Sequence, residues 1–239
     1  SYILMILPLK AVAQDSIQTN AMDSVEVSLL TCSPHEEIYS LYGHTALRWH
    51  DLRSGEDLAF NWGVFDFRKP YFVLRFVFGL TDYELGAIPM KYFLEEYRNV
   101  GSSVTEQVLN LTAEEKQRLF LALVTNLQPE NRIYRYNYFY DNCSTRPRDI
   151  IEQCINGELK CTDSEDFNQS YREIIRICTR NHPWDTFGND MLLGVKADLA
   201  TDRRQQEFLP EHLLYDFDRA QIYINGEYRP MVKERRTLV

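Results

Sequence analysis

Two aromatic runs with period-two spacing, "HTALRWH" (44–50) and "LAFNWGVFDF" (58–67), are separated only by the turn-like "DLRSGED". That arrangement commits residues 44–66 to an antiparallel β-hairpin. Alternation in the first run puts Thr45, Leu47 and Trp49 on one face and His44, Ala46, Arg48 and His50 on the other, the pattern of a strand with one polar side. Upstream, "SVEVSLLTC" alternates and then becomes wholly apolar, as expected of a strand entering a core, and "SPHEEIYSLYG" follows as a loop or short helix. Downstream, "KPYFVLRFVFGL" and "PMKYFLEEYRNV" read as an apolar and an amphipathic helix with "TDYELGAI" between them, and "SVTEQVLNL" reads as a strand.

Helix signals then take over. "TAEE" at 112–115 is a capping box leading into "KQRLFLALVTNLQ", which "PENR" ends. The aromatic run "IYRYNYFYD" is expected to be a strand delivering the chain to Asn142-Cys143. "RDIIEQCI" has helical spacing, and Pro147, lacking an N–H, is tolerated only in a first turn, so that helix starts at about 143–145. "SYREIIRICTRN", "PWDTFGNDMLLGVKADLA" and "PEHLLYDF" make a largely helical C-terminal half. It closes with "QIYINGEYRPM", in which Asn225-Gly226 signals a tight hairpin. With no linker in between, the expectation is one α+β domain over 14–239 with a helical C-terminal extension.

At the N-terminus, "YILMILPL" before "KAVAQD" resembles the apolar end of a secretory signal with a small-residue Ala11-Val12-Ala13 site, so residues 1–13 are expected to be a signal remnant or an anchor, and the protein to be exported. A net charge of −9, from 35 acidic against 26 basic residues, argues against a nucleic-acid binder, which needs clustered Lys and Arg. Export permits disulfides, and Cys154 and Cys161, flanking "INGELK", are a plausible local bridge, while Cys32 reads as a core thiol. Cys154, Cys161, Cys178 and His182 lack the close paired spacing of structural zinc sites, so no metal is expected.

Cys143 is the residue with chemistry to offer. A helix N-terminus lowers a thiol pKa, because the half-positive end of the dipole and the free N–H groups favour the thiolate, and those N–H groups can also cradle an oxyanion. Asn142, Ser144 and Arg146 are the candidate supporting residues, although Arg146 and Arg148 have Asp141, Asp149 and Glu152 at hand as partners. A catalytic thiol needs a base and a polar group to orient that base. Among five histidines, His44 begins a strand directly after Gly43, where an imidazole can face a cleft, and Asn61 on the next strand is placed to orient it.

The blocks "LLTCSPHEEIYSLYGHTALRWHD", "FNWGVFDF", "EQVLNLTAEEK", "YFYDNCSTRPRDIIE" and "WDTFGNDMLLGVKAD…FLPEHL" together resemble the periplasmic domain of the Lnb-type bacterial lipoprotein N-acyltransferase family. The resemblance runs over roughly residues 25–216 and is most specific in "GHTALR" and "DNCSTR". It implies a circularly permuted papain-like core of the NlpC type, in which the His-bearing strands precede the Cys-bearing helix, here in the order His44, Asn61, Cys143. It also implies cofactor-free transfer of a fatty acyl chain from a phospholipid donor, through a Cys143 thioester, to the α-amine of a diacylglyceryl-cysteine lipoprotein at the inner membrane. The apolar "PYFVLRFVFGL" would serve as an acyl groove, a membrane contact or a buried helix. Members of the family typically continue into C-terminal transmembrane helices, so a chain ending at "MVKERRTLV" reads as an excised domain or a soluble variant. A periplasmic thiol hydrolase and a non-enzymatic binding domain are the alternatives.

Overall fold

The computed structural model describes residues 21–35, 41–64, 82–161 and 168–239. The N-terminal apolar run and the segment "FDFRKPYFVLRFVFGLT" (65–81), with its expected apolar helix, lie outside the described residues, as do 36–40 of the loop after the first strand.

A seven-stranded antiparallel sheet carries the fold, in the order β10-β5-β1-β2-β3-β4-β6. The strands are β1 (Val25–Cys32), β2 (His44–Asp51), β3 (Glu56–Val64), β4 (Asp82–Pro89), β5 (Val104–Leu109), β6 (Ile133–Arg135) and β10 (Val232–Thr237). A three-stranded sheet pairs β7 (Glu158–Lys160), β8 (Gln221–Ile224) and β9 (Glu227–Pro230). The helices are α1 (Met90–Asn99), α2 (Ala113–Leu127), α3 (Thr145–Cys154), α4 (Tyr171–Cys178), α5 (Pro183–Leu192), α6 (Arg203–Gln206) and α7 (Pro210–Arg219), with a 3₁₀ turn at Val195–Asp198.

The expected hairpin forms, with Leu47 opposite Phe60 and Asp51 opposite Glu56. Alternation then sorts its side chains. Leu29, Leu47, Trp49, Phe60, Trp62 and Leu85 point into the main core, where α2, α3 and α7 add Leu119, Leu123, Ile151, Leu213 and Phe217. The opposite face is not the polar surface that His44, Arg48 and His50 predict. Ala46 and Ala59 are buried there with Leu30 and Cys32 beneath Met90 and Phe93 of α1, and burial of a side chain such as Phe93 is worth about 1.5–3 kcal/mol. Arg48 is accommodated on that face by ion pairs to Asp57 at 2.7 Å and to the buried Glu106 at 2.8 Å.

The capping box is present as expected. Thr112 Oγ1 accepts from the Glu115 N–H at 3.3 Å, and the Thr112 N–H donates to Glu115 Oε2 at 2.8 Å. Glu115, fully buried, also accepts from the Asn156 backbone at 2.6 Å and pairs with Arg229, so the start of α2 is tied to the end of α3 and to β9. The turn at Asn225 (φ 52°) and Gly226 (φ 92°) makes the β8–β9 hairpin, both residues being left-handed as a type I′ turn requires.

The structure adds two strands to the expected pattern and corrects two expectations. "DYELGAIP" is strand β4, with Tyr83 and Leu85 buried, because alternation outweighs the turn tendency of its Gly and Pro. Only Ile133–Arg135 of the aromatic run is strand; the chain then folds into a tight loop closed by an Asn137–Asp141 bridge. The C-terminal residues form β10 against β5. The bridge between Cys154 and Cys161 is not made: both are free thiols. Cys154 is buried at the end of α3, and Cys161, just after β7, has its Sγ 3.9 Å from the Asp216 carbonyl.

Candidate active site

Asn142 builds the turn that presents Cys143. Its Oδ1 accepts from the N–H groups of Ser144 (2.8 Å) and Thr145 (2.9 Å), and its own N–H donates to Thr145 Oγ1 at 2.9 Å. The same side chain's Nδ2 donates to the carbonyls of Tyr138 (2.8 Å) and Phe208 (2.9 Å). A capping amide thus starts α3 and pins that start to the loop before it and to the C-terminal segment. With its amide engaged on every side, Asn142 supports the site by holding Cys143 in place. Pro147 is buried as the third helical residue, in the first turn as its missing N–H demands.

Ser144 makes the long-range connection. Its hydroxyl meets Thr45 Oγ1 at 3.0 Å, both residues fully buried, which holds the start of α3 against the start of β2. His44 is the first residue of β2, beside Thr45. It follows Gly43, whose φ of +74° favours glycine and where a Cβ would come within 2.6 Å of the Cys32 carbonyl oxygen. Only a glycine there lets the chain enter the strand at the point that delivers His44.

Three residues converge. His44 Nε2 lies 2.5 Å from Asn61 Oδ1 on β3. With a carbonyl oxygen as acceptor, Nε2 is the donor, and Nδ1 is left for the thiol. His44, the Thr45 backbone and the Ser144 hydroxyl all act on Cys143 in favour of its thiolate. Burial works toward the neutral thiol, but these influences outweigh it, and the Cys143 pKa lies below its ordinary value. His44 mirrors this. Burial disfavours its cation, yet the influences of Cys143 and Asn61 win, and its pKa is raised.

The other four cysteines behave in the opposite way: burial pushes Cys161 and Cys178 up to about 11 and raises Cys32 and Cys154 as well. Cys143 is therefore the one activated thiol among the described residues. It is half-buried and free.

An aromatic wall lies nearby. Tyr83 stacks on Tyr136 at 4.3 Å, and burial, reinforced by the Cys143 charge, raises the pKa values of Tyr83, Tyr134 and Tyr136. Arg146 lies over the Tyr134 ring at 3.7 Å and pairs with Asp141 through two hydrogen bonds, one of 2.8 Å, so its charge is largely spent within the loop. Arg148 is buried against Asp149, Glu207 and the Arg204 carbonyl. Gly63 completes the setting: a Cβ there would stand 3.2 Å from His44 Cε1. Neither Thr45, next to His44, nor Gly63, two residues after Asn61, stood out in the sequence.

Among the described residues no group of three or more His, Cys, Asp or Glu side chains is placed to hold a metal ion.

The family model of the Lnb N-terminal periplasmic domain matches residues 13–187. The chain belongs to this family. The matched span of the Lnb N-terminal periplasmic domain includes His44, Asn61 and Cys143, and hence the whole converged site. As the family description states, the domain is periplasmic; among the described residues no helix is long and apolar enough to cross a membrane. Neither a curated protein nor a solved structure matches the chain.

Proposed function

We propose that this Lnb-type domain is a cysteine acyltransferase working by a two-step mechanism on a permuted papain-like core. The observation that carries the reading is the chain of contacts from Asn61 through His44 to Cys143, with the thiol pKa lowered and the imidazole pKa raised. The order of the parts agrees with it, since the strands bearing His44 and Asn61 precede the helix whose start bears Cys143.

In the first step the Cys143 thiolate attacks an ester carbonyl of a phospholipid. The tetrahedral oxyanion collapses to a Cys143 thioester, and the lysophospholipid alkoxide leaves with a proton from the His44 imidazolium. In the second, the α-amine of a diacylglyceryl-cysteine lipoprotein attacks the thioester while His44 takes its proton, forming the amide and releasing the thiolate. A thioester suits this task because it is more reactive toward amines than the oxygen ester it came from. The buried aromatic wall lowers the local dielectric and strengthens the charge pair.

Because Cys143 is half-buried rather than sealed, water is a second acceptor to be tested. The experiment incubates the protein with phospholipid, with and without a diacylglyceryl-cysteine lipopeptide, and follows intact mass and released products. A hydroxylamine-labile acyl adduct on Cys143 that passes to the lipopeptide amine supports the transferase, and Cys143→Ala abolishes it. Adduct turnover to free fatty acid alone would assign a hydrolase, and the absence of any adduct would overturn both.

A further inference from the structure

Helix α5 is inside out. Its Thr186 hydroxyl bonds to Thr179 at 2.8 and 2.9 Å, and its Asn189 Nδ2 donates to the Tyr42 hydroxyl at 2.8 Å, so this polar side faces the protein. Asp190 is paired with Arg172 and Arg176. The stripe at i, i+3 and i+7 turns outward instead, with Trp184 84%, Phe187 63% and Met191 73% exposed. Val195 (84%) and Leu199 (65%) continue it along the chain. Arg172 binds this stretch into one unit, donating to the carbonyls of Asp190 and Leu193 and pairing with Asp198. An apolar ridge of this kind marks a contact surface.

We propose that this ridge seats the domain on the surface of a phospholipid bilayer. Ten helical residues span about 15 Å, too short to cross a membrane but suited to lying in its interface. The chemistry fits headgroups and acyl chains together: Trp184 stands at one end of the ridge, with the exposed cation Arg180 just before it in the chain and the exposed Lys196 between Val195 and Leu199, both placed for lipid phosphates. The ridge has a fixed relation to the catalytic strand, because Asn189 holds Tyr42, two residues before His44. The choice of occupant rests on the acyl-transfer reading, in which the donor lies in a bilayer.

The test uses phosphatidylcholine vesicles with and without phosphatidylglycerol, read by co-sedimentation and tryptophan fluorescence. Of the three tryptophans, Trp49 and Trp62 are buried, so a binding-dependent shift reports Trp184. The expected result is vesicle binding with a blue shift, stronger with phosphatidylglycerol. It should weaken more than tenfold in the Trp184→Ser, Phe187→Ser, Met191→Ser triple variant and lose its phosphatidylglycerol preference in Arg180→Glu, Lys196→Glu. Acylation of Cys143 by a water-soluble short-chain nitrophenyl ester should be unchanged in both variants. Failure of the parent protein to bind, or equal binding by the triple variant, overturns the proposal. So does a concentration-dependent dimer that the triple variant abolishes, since the ridge would then be an interface between copies. If vesicles bind but no ester acylates Cys143, the docking surface stands and the acyl-transfer reading falls.

Discussion

Thr45 and Ser144 lie ninety-nine residues apart in sequence and share a buried hydroxyl-to-hydroxyl hydrogen bond of 3.0 Å. One neighbours His44, the proposed base, and the other neighbours Cys143, the proposed nucleophile, so this bond sets the distance between the two. Thr45→Val keeps the shape and removes the buried Ser144 hydroxyl's Thr45 partner. The variant should lose about 1–3 kcal/mol in urea unfolding and alkylate more slowly at Cys143. Unchanged stability and reactivity would show that the bond does not position the pair.

The paired shifts define a pH window. The proposed acylation needs the thiolate, so its rate should rise as pH climbs through the lowered Cys143 pKa, below the ordinary value of about 8.5. It also needs a protonated His44 to release the leaving group, so the rate falls as pH passes the raised His44 pKa, above the ordinary value of about 6.5. Iodoacetamide mapping across pH should find Cys143 reacting first among the five cysteines. In His44→Ala that advantage should vanish, because the counter-charge is gone while burial still favours the thiol. Equal reactivity of Cys143 in the two proteins would rule out an activated pair.

In the proposed mechanism Asn61 acts on His44 rather than on substrate. Asn61→Ala frees the imidazole to rotate away from the thiol and should lower kcat by about tenfold to a hundredfold with little change in KM. The Cys143 alkylation profile should shift toward higher pH at the same time. A change confined to KM would place Asn61 in substrate binding instead.

Gly63→Ala probes the same imidazole from another side. The added methyl would sit 3.2 Å from His44 Cε1, closer than most side-chain contacts, and the ring is the easier neighbour to displace. Activity should fall, and because Gly63 sits at φ +158°, where a side chain strains the backbone, the thermal midpoint should fall as well; activity assays and calorimetry on the same preparation read the two effects separately. Full activity in a folded variant would contradict this placement of the ring.

The local parts of this architecture were legible because their signals are local. Period-two spacing located β2 and β3, the Thr112 and Glu115 box located α2, Pro147 located the first turn of α3, and Asn225-Gly226 located the last hairpin. His44, Asn61 and Cys143 were legible as residue types in suitable settings, and the structure brings them together. What could not be read depends on distant chain. The second face of β2 looked polar because α1, which covers Ala46, arrives some forty residues later, and because Arg48 is neutralised by Glu106 on a strand two places away in the sheet. Cys154 and Cys161 looked like a bridge because they are close in sequence, while the position of Cys161 follows from the pairing of β7 with β8, more than fifty residues on, and both remain free thiols beside the main core. Thr45 read as an ordinary core position, and its hydroxyl partner lies on a helix that the strand pattern alone does not place.

The pairing of β10 with β5 bears on where the folding unit begins and ends. The family match closes at residue 187, yet β10 forms the outer edge of the main sheet, and its Arg236 pairs with Glu26 at 3.0 Å and reaches the buried Glu106 at 3.6 Å. A fragment trimmed to the matched span would leave β5 as a raw edge, open to pairing with other chains, and Glu106 with one fewer counter-charge. It would also lack Phe208, whose carbonyl receives the Asn142 amide beneath the nucleophile. The unit that evolution repeats most recognisably is thus shorter than the unit that must be synthesised for the thiol to be held in place.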